Sequence, residues 1–225
     1  MKKAAIILVR LDSERFPNKA LHNIKNKPLI EWCIDGLYPN NDFDIILATT
    51  DRVVDNPIEE FAKKKNIKCF RGDFNDTAKR IIDAATFYEI NVFARVNGDS
   101  PFTNRDLLEK GFEAINNEGV DFVTNLIPRN FPYGISVEVF KTNVFKESYK
   151  FFTDFEKEHA TTYFYRNISK FNPYLIKYSK GNDHNIRLVI DTPEDKANIE
   201  ALLNKLAKPF NQYTLEEIIN IYKNL

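Results

Sequence analysis

The most constraining feature of this sequence is a regular alternation of short apolar runs with longer amphipathic segments. The first apolar run, AAIILV at residues 4–9, is uninterrupted, which is typical of a strand buried on both faces. Segment 28–38 follows, and Pro28 begins a helix there whose apolar residues share one stripe. Further strands are predicted at 44–50, 67–70, 92–96 and 120–125, and further helices at 57–66, 76–89 and 105–119. This order predicts an α/β fold with a single doubly wound, mostly parallel, Rossmann-like sheet and helices on both faces.

The alternation becomes less regular after about residue 126. Strands are predicted at 134–140, 173–179 and 185–190, and helices at 142–151, 154–167, 192–207 and 215–225. We expect strand 134–140 to be half-exposed, because its polar and apolar residues alternate. We expect Gly119 to end its helix in a left-handed conformation. Since no repeat or linker interrupts the chain, we expect one domain over residues 1–225, with an irregular inserted segment at about 126–184.

The composition argues against several classes of function. The chain has 32 basic and 32 acidic side chains, so it lacks the basic excess of a dedicated nucleic-acid-binding protein. The run 4–9 is too short for a signal peptide, and no apolar stretch approaches the roughly 20 residues that a membrane span needs. The two cysteines, Cys33 and Cys69, cannot form a disulfide framework. We therefore expect a cytoplasmic protein with reduced thiols, acting without nucleic acid or membrane.

A loop rich in cations follows the first predicted strand. The sequence RLDSERFPNK at residues 10–19 contains Arg10, Arg15 and Lys19, together with the hydroxyl of Ser13. Cations gathered at the end of a buried strand suit a polyphosphate ligand. The loop lacks the glycines of a Walker loop and of a dinucleotide fingerprint. A solvated charged loop remains an equal alternative for this segment alone.

Two aspartates follow predicted strands that a doubly wound sheet brings together. Asp99 comes after the strand at 92–96, in NGD, and Asp191 comes after the strand at 185–190. Ligands of open α/β sheets bind beyond the carboxyl ends of the strands. Two carboxylates there hold Mg²⁺ and leave room for phosphate oxygens. With the cation loop, the pair predicts nucleotidyl or phosphoryl transfer.

Several motifs together resemble the CMP-sugar synthetases, the cytidylyltransferases that include the CMP-KDO and CMP-acylneuraminate enzymes. The similarity is greatest to the branch named for spore-coat polysaccharide biosynthesis and covers nearly the whole chain. The matching motifs occur in family order: AIILVRLDSERFPNKAL (5–21), ILATTD (46–51), FRGDFNDTAKR (70–80), ARVNGDSPF (94–102) and RLVIDTPED (187–195). The resemblance implies a fold of the nucleotide-diphospho-sugar transferase type.

The resemblance also implies a role for individual residues. It places the CTP phosphates and part of the nucleotide on the cation loop, at Arg10, Ser13, Arg15 and Lys19. It places Arg71 and Arg80 near the nucleotide, and Glu138 and His159 near the sugar. It assigns Mg²⁺ to Asp99 and Asp191, which with Lys19 form the catalytic group. Members of the family commonly dimerise through the segment after strand five, so 126–184 becomes the expected homodimer contact.

The expected reaction moves CMP from CTP to an acidic or modified sugar and releases pyrophosphate, for surface polysaccharide or glycoconjugate synthesis. Two departures from the family pattern bear on this expectation. Asp12 stands where glycine or alanine is usual, and Ser136 stands where an aspartate is usual. Asp12 is compatible with a triphosphate only if a cation neutralises it. A glycosyltransferase that uses sugar nucleotides and a non-catalytic nucleotide-binding subunit are the alternatives.

Overall fold

A computed structural model describes residues 1–39 and 42–225, and its main sheet contains seven strands. The strands of this sheet are β1 (Lys3–Leu8), β4 (Asp44–Thr50), β5 (Lys68–Gly72), β6 (Val92–Asn97), β7 (Phe122–Thr124), β8 (Glu138–Lys141) and β9 (Pro173–Leu175). A separate small hairpin joins β2 (Asn23–Ile24) to β3 (Lys27–Pro28). The order across the main sheet is β5-β4-β1-β6-β8-β7-β9.

The pairing confirms a mostly parallel sheet. β1 lies between β4 and β6 and is parallel to both, and β4 is parallel to β5. β8 runs antiparallel to its neighbours β6 and β7, whereas β7 and β9 are parallel. The carboxyl ends of β1, β4, β5 and β6 therefore lie at one edge of the sheet, and β8 begins at that same edge.

Helices cover both faces of the sheet, as the alternation of the sequence predicts. They are α1 (Leu29–Asp35), α2 (Asn56–Lys65), α3 (Thr77–Phe87), α4 (Arg105–Ala114), α5 (Thr142–Tyr149), α6 (Asp154–Glu158), α7 (Thr162–Arg166), α8 (Pro193–Asn204) and α9 (Leu215–Lys223). None of the helices in the described part of the chain is long and apolar enough to cross a membrane.

Two apolar layers enclose β1, one on each face of the sheet. Ala5 and Ile7 belong to the larger layer, which includes buried residues of α1, α2, α4, α8 and α9. Ala4 and Ile6 belong to the other layer, which includes α3, α5 and α7. Because adjacent residues of a strand point to opposite faces, an uninterrupted apolar run is what a strand in this position needs.

The starts of the last two helices agree with the sequence prediction. Thr192 caps α8 and Thr214 caps α9, each accepting a backbone N–H of the first turn. The carboxylates of Asp195 and Glu217 in turn accept the backbone N–H of Thr192 and Thr214, which completes a capping box in both helices.

Two predicted elements of the irregular segment differ from the structure because their polar residues face a cavity. The alternation at 134–140 predicts a half-exposed strand, but only 138–141 pairs in the sheet and Glu138 is fully buried. The helix predicted at 154–167 is broken into α6 and α7. At the break, the backbone of His159 leaves the helical conformation, and residues 159, 161 and 162 line the cavity.

Three further predicted segments differ from the structure for simpler reasons. Helix α4 ends at Ala114, five residues early, and Gly119 has the expected positive φ of 76° in the turn that follows. The run 173–179 forms a strand only over its first three residues. The run 185–190 makes a single bridge, between Tyr133 and Arg187. Its apolar residues reflect burial rather than strand pairing, since Ile186, Leu188 and Ile190 belong to the larger apolar layer.

Phe164 lies at the centre of the aromatic packing around α7, because it is fully buried and contacts five other phenylalanine rings. Its substitution therefore tests this packing. We expect Phe164→Ala to lower the free energy of unfolding by about 3–5 kcal/mol, since it leaves a cavity in a packed core. Phe87 is 70 % exposed, and Phe87→Ala is the matched control. Urea unfolding of the two variants measures the difference, and equal effects would contradict this packing.

Candidate active site

A cavity of about 800 Å³ opens at the carboxyl ends of β1 and β6 and at the start of β8. Most of the residues that the sequence singled out line it. They are Arg10, Ser13, Arg15, Lys19, Arg80, Asp99, Glu138, His159 and Asp191. Arg71 does not line this cavity.

The centre of the cavity is a lysine held between two carboxylates. The Nζ atom of Lys19 lies 2.9 Å from Asp99 Oδ2 and 2.9 Å from Asp191 Oδ1. Burial disfavours the charged form of Lys19, but the two carboxylates outweigh this effect and raise its pKa. Arg15 Nη2 lies 3.4 Å from Asp191 and is mostly exposed. The lysine predicted to bind phosphate thus also neutralises the predicted metal carboxylates.

Close packing of two strand ends places Asp99. Gly98 precedes it, and a Cβ atom at this position would lie 2.9 Å from the carbonyl oxygen of Leu8 and 3.1 Å from Val9 Cβ. The backbone N–H of Gly98 donates to that same Leu8 oxygen at 2.9 Å. A glycine is therefore required for the end of β6 to approach the end of β1 this closely. The Asn-Gly turn identified in the sequence serves this approach.

A capping network places Asp191. Asp195 Oδ2 accepts the backbone N–H groups of Asp191 and Thr192 at 2.9 and 3.1 Å. Arg187 donates to the same carboxylate from its Nε and Nη2 atoms, at 2.9 and 3.1 Å. Burial alone would raise the pKa of Asp195, but these donors lower it. The start of α8 therefore fixes the backbone from which Asp191 reaches the cavity.

The cation loop and α3 bring two arginines together at one end of the cavity. Arg80 is 3 % exposed and donates to the carbonyl of Asp73 and the hydroxyl of Thr77. Its Nε atom is buried without a partner. Burial, and then repulsion from Arg10, lower the pKa of Arg80 to about 10. An anion bound between these guanidinium groups would relieve the repulsion.

Arg71 lies behind this end of the cavity rather than in it. Its Nε and Nη2 atoms donate to the carbonyl oxygens of Thr50 and Arg52, at 3.1 and 2.7 Å. Its Nη1 atom donates to Asn56 and Glu59. The expectation that Arg71 contacts the nucleotide is therefore not supported by the structure, because its donors hold the backbone between β4 and α2.

The β8 side of the cavity contains an ion pair between Glu138 and Arg95. The sequence predicted Glu138 as a site residue but not Arg95. Glu138 accepts Arg95 Nη1 at 2.7 Å and the hydroxyl of Tyr165 at 2.7 Å. The Tyr165 hydroxyl also lies 2.9 Å from that of Thr124. Burial, and then the charge of Glu138, raise the pKa of Tyr165 well above its usual value. One signal for Arg95 was available, since it is a charged residue within the apolar run VFARV.

His159 and Ser136 also line the cavity. His159 lines the cavity from the break between α6 and α7, and its ring packs against Phe155 at 4.4 Å between centroids. Ser136 lines the cavity just before β8. Two lining residues from the irregular segment, Arg129 and Tyr133, stack on one another at 5.3 Å. Segment 126–184 thus supplies much of the polar wall of the cavity.

The carboxylate pair has the donor chemistry of a magnesium site. Among residues 1–39 and 42–225, no group of three or more His, Cys, Asp or Glu side chains is placed to hold a metal ion. Mg²⁺ uses one or two carboxylates and completes its shell with water and phosphate oxygens. Asp99 and Asp191 already converge on one cation, the ammonium of Lys19. The two residues therefore fit a divalent cation that also contacts a phosphate.

A cavity at the carboxyl edge of a parallel sheet, with paired carboxylates and cations, defines an enzyme of the nucleotidyl-transfer or phosphoryl-transfer class. The cytidylyltransferase family model matches residues 4–221, and the chain belongs to this family.

Two relatives are similar over most of their length, and a third over about half of this chain. An uncharacterized protein of Methanocaldococcus jannaschii is 32% identical over 200 residues, which span 87% of this chain and 80% of that protein. The spore coat polysaccharide biosynthesis protein SpsF of Bacillus subtilis is 27% identical, over 89% of this chain and 85% of its own. The 3-deoxy-manno-octulosonate cytidylyltransferase of Acaryochloris marina is 29% identical over 49% of this chain and 45% of its own.

Solved structures agree on the fold. A cytidylyltransferase from Leptospira borgpetersenii superimposes with a TM-score of 0.93 at 26% identity, covering 100% of this chain and 94% of that one. A CMP:2-keto-3-deoxy-manno-octonic acid synthetase complexed with CTP has a TM-score of 0.68 at 15% identity, covering 91% of this chain and 99% of that one. These comparisons confirm both the family resemblance and the Rossmann-like α/β fold.

The buried pair of Arg95 and Glu138 gives a testable prediction. We expect Arg95→Met to lower the free energy of unfolding by about 3 kcal/mol, because it leaves Glu138 charged, buried and without its cation. The double variant Arg95→Met/Glu138→Leu removes both charges and leaves the Tyr165 hydroxyl its contact with Thr124. We expect the double variant to be the more stable of the two in urea unfolding. The prediction is contradicted if the double variant loses as much free energy of unfolding as the single variants Arg95→Met and Glu138→Leu lose together.

Proposed function

We propose that this cytidylyltransferase moves CMP from CTP to an acidic or modified sugar, with release of pyrophosphate. The observation that carries the proposal is the position of Asp99 and Asp191, the two carboxylates that Lys19 joins. Asp99 follows β6, which lies in the sheet between β1, whose loop carries Arg10, and β8, which begins at Glu138, and Lys19 joins Asp99 to Asp191. A nucleoside triphosphate and an acceptor can meet at these carboxylates from opposite sides of one cavity.

The arginine-rich end suits the triphosphate. Arg10, Arg15 and Arg80 line the cavity from the cation loop and from α3. Arginine donates in a planar fork that matches phosphate oxygens, and these charges would offset those of the triphosphate. A bound phosphate would relieve the repulsion between Arg80 and Arg10, so the charges at this end favour an anion. Ser13 adds a hydroxyl to the same wall.

We assign Mg²⁺ to Asp99 and Asp191. When bound, the ion would stabilise negative charge on the α-phosphate and align it with the acceptor oxygen. Lys19 holds the two carboxylates together. As phosphate arrives, its charge would draw the Lys19 ammonium toward the transferring group. The acceptor hydroxyl then gives up its proton to solvent and its oxygen bonds to the α-phosphorus, while the bond from the α-phosphorus to the oxygen of the β-phosphate breaks. A CMP-sugar and pyrophosphate form.

The polar end suits an acceptor with several oxygens. Glu138, Arg95 and Tyr165 are already paired with each other, so they present oriented donors and acceptors rather than a free charge. His159 and Ser136 lie on the same wall. Relatives named for spore-coat polysaccharide and 3-deoxy-manno-octulosonate chemistry favour a sugar acid or modified sugar for surface polysaccharide or glycoconjugate synthesis.

Asp12 is compatible with this function because its charge points away from the phosphates. Arg52 Nη2 lies 2.6 Å from Asp12 Oδ2, and Arg10 Nε lies 3.6 Å from Asp12 Oδ1. Asp12 is not among the residues that line the cavity. The departure from the family pattern is therefore neutralised by a residue of the neighbouring segment.

We also assign the homodimer contact to segment 126–184. Three large side chains of this segment, Phe151, Phe155 and Tyr174, are 69%, 53% and 44% exposed. Sedimentation of the purified chain measures the assembly, and we expect the Phe151→Glu/Phe155→Glu variant to shift it toward monomer. A monomeric wild-type chain at micromolar concentration would overturn this assignment.

Pyrophosphate release tests the reaction directly. We expect release with CTP and Mg²⁺ in the presence of an acceptor from a panel of sugar acids, with much less from ATP, GTP or UTP. Asp99→Asn should lower turnover at least about 100-fold, because it weakens the charge at the transferring phosphate. The matched control is Asp106→Asn, an exposed aspartate paired with Arg105.

Other outcomes would identify the alternatives. Full turnover by Asp99→Asn would overturn the role of the carboxylate pair. Hydrolysis of a sugar nucleotide without turnover of CTP would favour a glycosyltransferase. Binding of CTP without pyrophosphate release, across the whole acceptor panel, would favour the non-catalytic alternative.

Lys19 gives a prediction about metal binding that does not depend on turnover. We expect Lys19→Met to bind Mn²⁺ about tenfold more tightly than the wild type when nucleotide is absent, because the ammonium no longer competes for Asp99 and Asp191. Electron paramagnetic resonance of free Mn²⁺ measures the affinity. Lys65→Met, which removes an exposed pair with Glu31, is the control. An unchanged affinity would show that the cation site lies elsewhere.

A further inference from the structure

Asp55 is a fully buried carboxylate that the proposed reaction does not use. It lies between β4 and α2, and its side chain is 0% exposed. Its Oδ1 atom accepts the backbone N–H of Leu11 at 2.7 Å, across 44 residues of sequence, and its Oδ2 atom accepts the hydroxyl of Thr50. A carboxylate is stable in such a place only when donors surround it. One of those donors belongs to the cation loop, between Arg10 and Ser13.

The next residue of the loop is attached to the same place. Arg52 Nη2 lies 2.6 Å from Asp12 Oδ2 and 3.5 Å from Asp55 Oδ2. The Arg52 guanidinium also lies over the ring of Phe74, 3.5 Å from its centroid. Leu11 is thus held through its backbone and Asp12 through its side chain. Two successive loop residues are anchored to residues 50–56, which we call the anchor segment.

Arg71 makes the anchor segment rigid. It donates to the carbonyl oxygens of Thr50 and Arg52 and to the side chain of Asn56. Neither Arg71 nor any residue of the anchor segment lines the cavity. The whole arrangement therefore acts on the cavity only through the loop that it holds.

We propose that Asp55 is a positioning residue for the nucleotide end of the cavity, and that Arg52 and Asp12 complete the attachment. Arg10 and Ser13 line the cavity on either side of the anchored pair of residues. The backbone between them therefore determines where their side chains point. This proposal rests on the proposed function, because it assigns the nucleotide to that end of the cavity.

Variants of Asp55 in the full chain test the proposal. Asp55→Ala leaves the buried N–H of Leu11 without an acceptor, so we expect the Kd and KM for CTP to rise about tenfold, with kcat changed less than about threefold. Asp55→Asn keeps an oxygen for Leu11 and an amide for Thr50, and should restore most of the affinity. The control is Asp44→Ala, which removes an exposed pair with Lys68 at the other end of β4. Rescue by asparagine distinguishes positioning from a general loss of stability.

A double-mutant cycle covers the case in which Asp55→Ala does not fold. Arg52→Met and Asp12→Asn each leave the Asp55 to Leu11 bond in place. We expect each to weaken CTP binding about threefold, and the double variant to weaken it by less than the product of the two effects, because both variants break the ion pair between Arg52 and Asp12. Effects on Kd that multiply in the double variant, or no effect at all, would overturn the role of this pair.

Amide hydrogen exchange gives a readout that needs no nucleotide. We expect faster exchange of the amides of residues 10–15 in Asp55→Ala, or in Arg52→Met if the former does not fold, and unchanged exchange in Asp44→Ala. Unchanged loop exchange in the folded variants would overturn the positioning role. A wild-type chain that does not bind CTP, but whose loop exchange still responds to these variants, would overturn the proposed function and leave the positioning role standing.

Discussion

The cavity depends on one interaction, the bridge that Lys19 makes between Asp99 and Asp191. Its two hydrogen bonds span 80 and 172 residues of sequence. They join the cation loop to the end of β6 and to the start of α8. Without the ammonium, two carboxylates would face one another in a partly buried site, and their repulsion would oppose folding. The same cation therefore brings three separate segments of the chain together at the cavity.

The surroundings of this bridge show how much of the fold serves it. Gly98 lets the ends of β1 and β6 come together, and the capping box of α8 fixes the backbone of Asp191. On the side of the cation loop, the anchor segment fixes Leu11 and Asp12. None of these supports is a general feature of a parallel sheet. Each is a polar contact made at a strand or helix end, where the backbone leaves its regular hydrogen bonds and needs other partners.

The sequence was most informative where one physical cause sets the pattern. Burial on both faces makes β1 an uninterrupted apolar run, so the strand and its place in the sheet were predictable. The position of Asp99 and Asp191 after predicted strands pointed to them as a pair, and the family resemblance added Lys19 to the pair. The pattern was misleading at 134–140 and 154–167, because polar residues that face a cavity look the same in sequence as residues that face solvent. Arg71 lies outside the cavity lining and donates to backbone carbonyls, and an arginine of that kind cannot be distinguished in sequence from one that binds phosphate.

The reversal of β8 divides the cavity into two parts with different architecture. One part is built from loops that leave parallel strands, and the other from a segment that enters the sheet against the direction of its neighbours. Substitutions in the entering segment can reshape one pocket without disturbing the backbone of the other. A chain built in this way can diversify its choice of acceptor during evolution while its nucleotide chemistry stays constant.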